Sequence, residues 1–169
     1  MIMMAAIVIF LVLGLSLVAA AKDVMGYTIP NWIALALIGL FPVGIFALGM
    51  TLPDIMNAVL AGGLMLVIGF ALFAPGWIGG GDAKLMAALA LWVGWSDLIA
   101  FVSFSALWGG VLAIGLLIMR RQLAHIPYIA THAPRCVVEE GAPAPYGVAI
   151  AAGMLSVLPN SHLLTALLG

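Results

Sequence analysis

Charge is what this sequence has least of. Its 169 residues carry five Lys or Arg and six Asp or Glu, 7% in all, where a soluble domain carries about 25%. So few charges cannot coat a water-facing surface, which excludes a soluble globular enzyme, a nucleic-acid binder and a disordered tail together. Cysteine is almost as scarce. Cys136 stands alone, so there is no intrachain disulfide framework and no CxxC metal pair. No HExxH, GxSxG or P-loop is present. His125 and His132 lie seven apart in a proline-broken stretch with His162 far along the chain, so neither a metal site nor a cofactor is expected. Cys136 has no arranged base beside it and is not expected to act as a nucleophile. What is abundant is apolar surface, 66% hydrophobic residues with a mean hydropathy of +1.33, so the solvent is mainly lipid. A net charge of −1 says nothing about partners.

Charge-free stretches mark the spans, because about 20 apolar residues at 1.5 Å each are needed to cross roughly 30 Å of hydrocarbon. The stretches are 2–21, from after Pro30-Asn31 to about residue 50, 55–74, 85–96, 98–119, and from about 146 toward 169 with an interruption at Pro159-Asn160. They predict an all-α membrane protein, a bundle of about six transmembrane helices forming one domain over residues 1–169. The first stretch has no basic amino end and a long apolar run, so a retained helix is expected rather than a cleaved signal peptide. Lys22, Lys84, Arg120, Arg121 and Arg135 fall in alternate loops, and the loops near Asp54 and Asp97 contain no basic residue. Basic residues stay on the cytoplasmic side. Both termini are therefore expected outside, with Asp23 and Asp82 at the cytoplasmic face.

The fourth stretch is the informative one, because 12 residues cover only about 18 Å. The helix must borrow residues from upstream, and a start near Gly79 brings Asp82 to the lipid boundary, where an ionisable group costs on the order of 3 kcal/mol. Gly79-Gly80-Gly81 precedes it and reads as a loop or unwound turn leading into the helix. Lys84, two residues on, faces away from Asp82, and snorkelling to headgroups is its simplest role. Asp54 and Asp97 read as surface acids in tight outer loops, and Asp23 alone reads as an interfacial acid. Brought together, however, Asp23 and Asp82 share one proton by mutual repulsion. The ionised partner can take a proton from an attacking water while the protonated one donates to an amide carbonyl oxygen.

The run Gly79-Gly80-Gly81-Asp82-Ala83-Lys84-Leu85 resembles the GxGDxKL signature of the type IV prepilin peptidases, which are intramembrane aspartic peptidases. Asp23 followed by Ile29-Pro30-Asn31 is similar to their first motif, and Pro145-Tyr146-Gly147-Val148-Ala149-Ile150 is similar to their third recurring segment. The pattern matches the small members serving Tad/Cpa pilus systems. The resemblance implies that Asp23 and Asp82 are the catalytic pair, with Gly79, Gly80, Gly81, Lys84, Pro30 and Asn31 as supporting motif residues. It implies a leader peptidase of the bacterial inner membrane that cuts Flp-type prepilins after a glycine at the cytoplasmic face. The partners implied are the prepilin leader with its first apolar helix, membrane lipid and pilus-assembly machinery, with no nucleic acid. Large relatives add a cysteine-bearing methyltransferase region, so N-methylation is not expected here. Residues 24–28 are uncharged where many relatives are basic, and Glu139 and Glu140 read as a solvated acidic pair. A small transporter or proton-relay protein, or a non-catalytic assembly subunit, remains an alternative reading of acids near glycine breaks in membrane helices.

Overall fold

The computed structural model describes residues 2–123, 142–161 and 163–164. Among these the fold is helical: α1 (Ile2–Gly26), α2 (Asn31–Leu48), α3 (Leu52–Phe73), α4 (Gly80–Leu123), α5 (Tyr146–Val157) and a closing 3-10 turn (Leu158–Asn160). Four of the described helices, α1 to α4, are long and apolar enough to cross a membrane. The expected count of six spans is not confirmed: the fourth and fifth stretches are two helical limbs that meet at a kink within α4 rather than at a loop, and α5 contains 12 residues before Leu158 and Pro159 open the 3-10 turn.

Gly94 breaks α4 with φ 74° and ψ 178°, a conformation that side chains with a Cβ rarely adopt. The limb before it, 80–93, differs from the stretch read in the sequence. Gly80 and Gly81 belong to its first turn rather than to a loop, because their missing side chains let the turn sit close against neighbours: a Cβ on Gly80 would meet the Phe73 ring at 3.1 Å, and one on Gly81 would meet Ile29 Cβ at 3.0 Å. Asp97 likewise lies in the opening turn of the second limb, not in a loop. An acid there faces the positive end of the helix dipole. Asp54 has a capping role at the start of α3, where its Oδ2 accepts from Thr51 N–H at 2.8 Å and Thr51 Oγ1 at 2.6 Å.

Close glycine contacts set the helix order. Gly62 packs on Leu91 and Gly69 on Ala83, so the first limb of α4 runs antiparallel to α3. Trp92 fixes α2 against the same limb: its indole N–H donates to Leu37 O at 3.0 Å, its ring meets Phe41 edge-on at 5.4 Å, and it fills the space a Cβ on Gly44 would take. Gly109 lies on Tyr146 and Gly153 on Ser105, which sets α5 antiparallel to the second limb. Small residues let helix backbones approach where lipid supplies no hydrophobic drive for association. Large apolar side chains such as Phe10, Leu35, Phe46, Val67, Phe70 and Ile99 remain exposed around the bundle, as a lipid-facing perimeter requires.

Candidate active site

Asp23 occupies the last turn of α1. That helix ends at Gly26, and Tyr27 turns the chain out with φ 51°, its N–H bonding to Asp23 O at 2.8 Å. The Asp23 side chain points inward and is only 5% exposed. Its Oδ2 accepts the backbone N–H of Gly147 at 2.7 Å. Gly147 is the second residue of α5, and the first N–H groups of a helix have no partner within it. The carboxylate therefore caps a neighbouring helix at the positive end of its dipole. A Cβ on residue 147 would lie 3.0 Å from both Asp23 Cβ and Oδ2, so glycine is what allows this approach.

Asp82 stands in the first turn of α4, and the Gly79 backbone N–H donates to its carboxylate. Its Oδ1 is buried with no hydrogen-bond partner among the described residues. Asp23 and Asp82 line one cavity of about 180 Å³, together with Tyr27, Thr28, Ile29 and Gly79 to Gly81. Each acid is thus held by a backbone amide at the start of a helix, and both face the same small polar space.

The other motif residues frame this cavity from behind. Pro30, with φ −62° and ψ 138°, starts α2 at Asn31, and Ile29 packs on Gly81. Lys84 Nζ donates to Asn31 Oδ1 at 2.9 Å, so the lysine that faces away from Asp82 ties α4 to α2 instead of reaching for headgroups. Asn31 and Lys84 line a separate groove between α2 and α3. Lys22 adjoins Asp23, and Arg120 donates to Ala142 O at 2.7 Å just before α5, so the described basic residues gather toward the Asp23 and Asp82 end.

Gly147 carries more of this site than its place in a recurring segment indicated, and Tyr27, Thr28 and Ile29 were not expected to line it. The available signal was Pro145 before a helix start, which leaves the following N–H groups to be satisfied from elsewhere. Asp54 and Asp97 lie outside the cavity. Among the described residues no three His, Cys, Asp or Glu side chains gather around one point. The chemistry the cavity offers is that of two carboxylates. His125, His132, Arg135, Cys136, Glu139, Glu140 and His162 fall outside the described residues.

Comparison with known proteins gives one family. The model of the type IV leader peptidase family matches residues 3–114, which include both acids. No curated protein and no solved structure matches the chain significantly.

Proposed function

Because the chain belongs to the type IV leader peptidase family, we propose that it is an aspartic endopeptidase that removes the short leader from Flp-type prepilins at the cytoplasmic face of the inner membrane. The observation that carries this reading is the single cavity lined by Asp23 of α1 and Asp82 of α4.

Two carboxylates that share a small cavity hold one proton between them. In the reaction, the ionised carboxylate takes a proton from water as the water oxygen bonds to the carbonyl carbon of the scissile peptide. The protonated carboxylate gives its proton to the carbonyl oxygen. As the tetrahedral gem-diol collapses and its C–N bond breaks, the proton gained from water passes to the leaving amine, and the carboxylate that donated to the carbonyl oxygen takes a proton back from a diol hydroxyl. The pair then holds one proton again, so no covalent intermediate is needed. Gly147 and Gly79 contribute by holding each acid through a backbone amide, and Asp82 Oδ1, buried and without a hydrogen-bond partner among the described residues, keeps its lone pairs for the reaction. Family membership favours this reading over a transporter or an assembly subunit, neither of which needs a peptide bond at the acids.

Co-expression with a Flp-type prepilin tests it. The wild-type protein should shift the prepilin to a faster band on a gel. Asp23→Asn and Asp82→Asn should each abolish the shift while accumulating in the membrane as the wild type does. Cleavage at the wild-type rate by either Asn variant sinks the two-carboxylate mechanism.

A further inference from the structure

A groove of about 520 Å³ lies where α2 and α3 each pack on the first limb of α4 but scarcely on one another. Small residues form its floor, among them Ala34, Gly62, Ala87 and Ala88. Its rims are the exposed side chains of Leu35 and Ile38 from α2 and of Val59 and Leu66 from α3. The polar side chains of its lining are Asn31 and Lys84, joined by their 2.9 Å hydrogen bond at the end where α2 and α4 begin. From Lys84 to Leu91 on α4, and from Asn31 to Ile38 on α2, the groove follows about two turns of helix, roughly 10 Å. That is about two-thirds of the hydrocarbon depth of one leaflet.

One cation at the head of an apolar channel suits an amphiphile, in a chain whose α1 to α4 are long and apolar enough to cross a membrane. Lys84 is the one ionisable residue of the lining, so the charge that complements it is negative. Its bond to Asn31 uses one ammonium donor and holds the group over the groove, short of the bilayer surface, with its other donors left for phosphate oxygens. Basic pockets between transmembrane helices bind anionic headgroups through the same chemistry. We propose that this groove binds one anionic phospholipid, with its phosphate on Lys84 and an acyl chain lying over Gly62 and Gly63. The space over Gly63 is open, since a Cβ there would meet no neighbouring atom within 4 Å. Lys84 follows Asp82 by two residues, and α2 follows directly on Ile29, which lines the cavity of the two acids. The bound lipid therefore braces α2 against α4 beside that cavity. This site shares no reacting group with the peptidase reading and does not rest on it.

Native mass spectrometry of the protein released from bilayers of mixed phosphatidylcholine and phosphatidylglycerol provides the test. The wild type should retain one phospholipid, with phosphatidylglycerol enriched about fivefold over its share of the bilayer, the preference that one lysine near the membrane surface confers. Lys84→Gln removes the charge and should abolish that enrichment while a lipid is still retained. Gly63→Leu fills the groove without a clash at its Cβ and should abolish retention of either lipid. The proposal is overturned if the wild type retains the two lipids in their bilayer proportions, if Lys84→Gln keeps the enrichment, or if Gly63→Leu retains lipid as the wild type does. It is equally overturned if Gly63→Leu releases a second copy of the chain or another apolar helix in place of lipid, because the groove is then a protein contact. Should Lys84→Gln fail to accumulate in the membrane, Gly63→Leu decides, since position 63 has room for a side chain. Cleavage plays no part in these measurements, so the peptidase reading stands or falls separately.

Discussion

The backbone N–H of Gly147 donates to Asp23 Oδ2 across 2.7 Å, joining the first turn of α5 to the last turn of α1 over 124 residues of sequence. One hydrogen bond there satisfies a helix terminus and orients an acid of the proposed pair. Neither group has an equivalent partner within its own helix.

Gly147→Ala should therefore impair cleavage without preventing insertion. The added Cβ meets Asp23 at 3.0 Å and Ile29 Cδ1 at 3.1 Å, which forces a displacement of a few tenths of an ångström at the acid. A misplacement of about 1 Å can cost about 100-fold in rate, so a loss of about tenfold in kcat/KM is expected for the smaller shift. Wild-type kcat/KM in a normally accumulated Gly147→Ala protein would show that the contact does not position Asp23.

Trp92 locks α2 to the limb that carries Asp82, and its ring occupies the space beside Gly44. A Cβ at 44 would approach the ring to 2.6 Å, so Gly44→Ala should destabilise the protein by about 1–3 kcal/mol through overpacking. Trp92→Leu removes the ring and the bond to Leu37 O, and is destabilising by itself. Combined, the two should cost less than their sum, because the clash needs both groups. Thermal unfolding in detergent of the two single variants and the double variant measures this, and strict additivity would contradict the packing.

The pH dependence of leader cleavage should be bell-shaped. On the acid side, protonating the second carboxylate removes the base, so activity falls as pH drops. On the alkaline side, loss of the shared proton removes the acid, so activity falls as pH rises. Both limbs belong to the pair and not to one residue. Asp54→Asn, at the cap that starts α3 and outside the cavity of the two acids, should leave both limbs in place. A profile of kcat/KM with a single limb would argue for one working carboxylate.

Basic residues that gather toward the acids also predict how the chain sits in the membrane. In a Cys136→Ala background, cysteines at positions 22 and 121 should label only from the cytoplasmic side and one at 97 only from outside. Labelling of 22 and 97 from the same side would remove the basis for a cytoplasmic catalytic face.

The sequence by itself determined the solvent and the start of the decisive helix. Eleven charges in 169 residues leave lipid as the medium, and a stretch of 12 residues too short to span forces α4 back to the glycine run, where it begins at Gly80. Both follow from local quantities, hydropathy and rise per residue. The motif residues Asp23, Asp82, Asn31 and Lys84 were equally legible as residues, but not the bond from Lys84 to Asn31. A break between the fourth and fifth stretches was legible from Asp97, but not that Gly94 makes it, because glycine occurs 20 times in the chain and composition does not say which one takes a positive φ. Gly147 became a partner of Asp23 only when α5 packed against α1, and the groove below Lys84 exists only where α2 and α3 leave space between them on α4. Such contacts depend on which helix faces meet across long separations, and that choice is made by the close packing of small residues in the folded bundle.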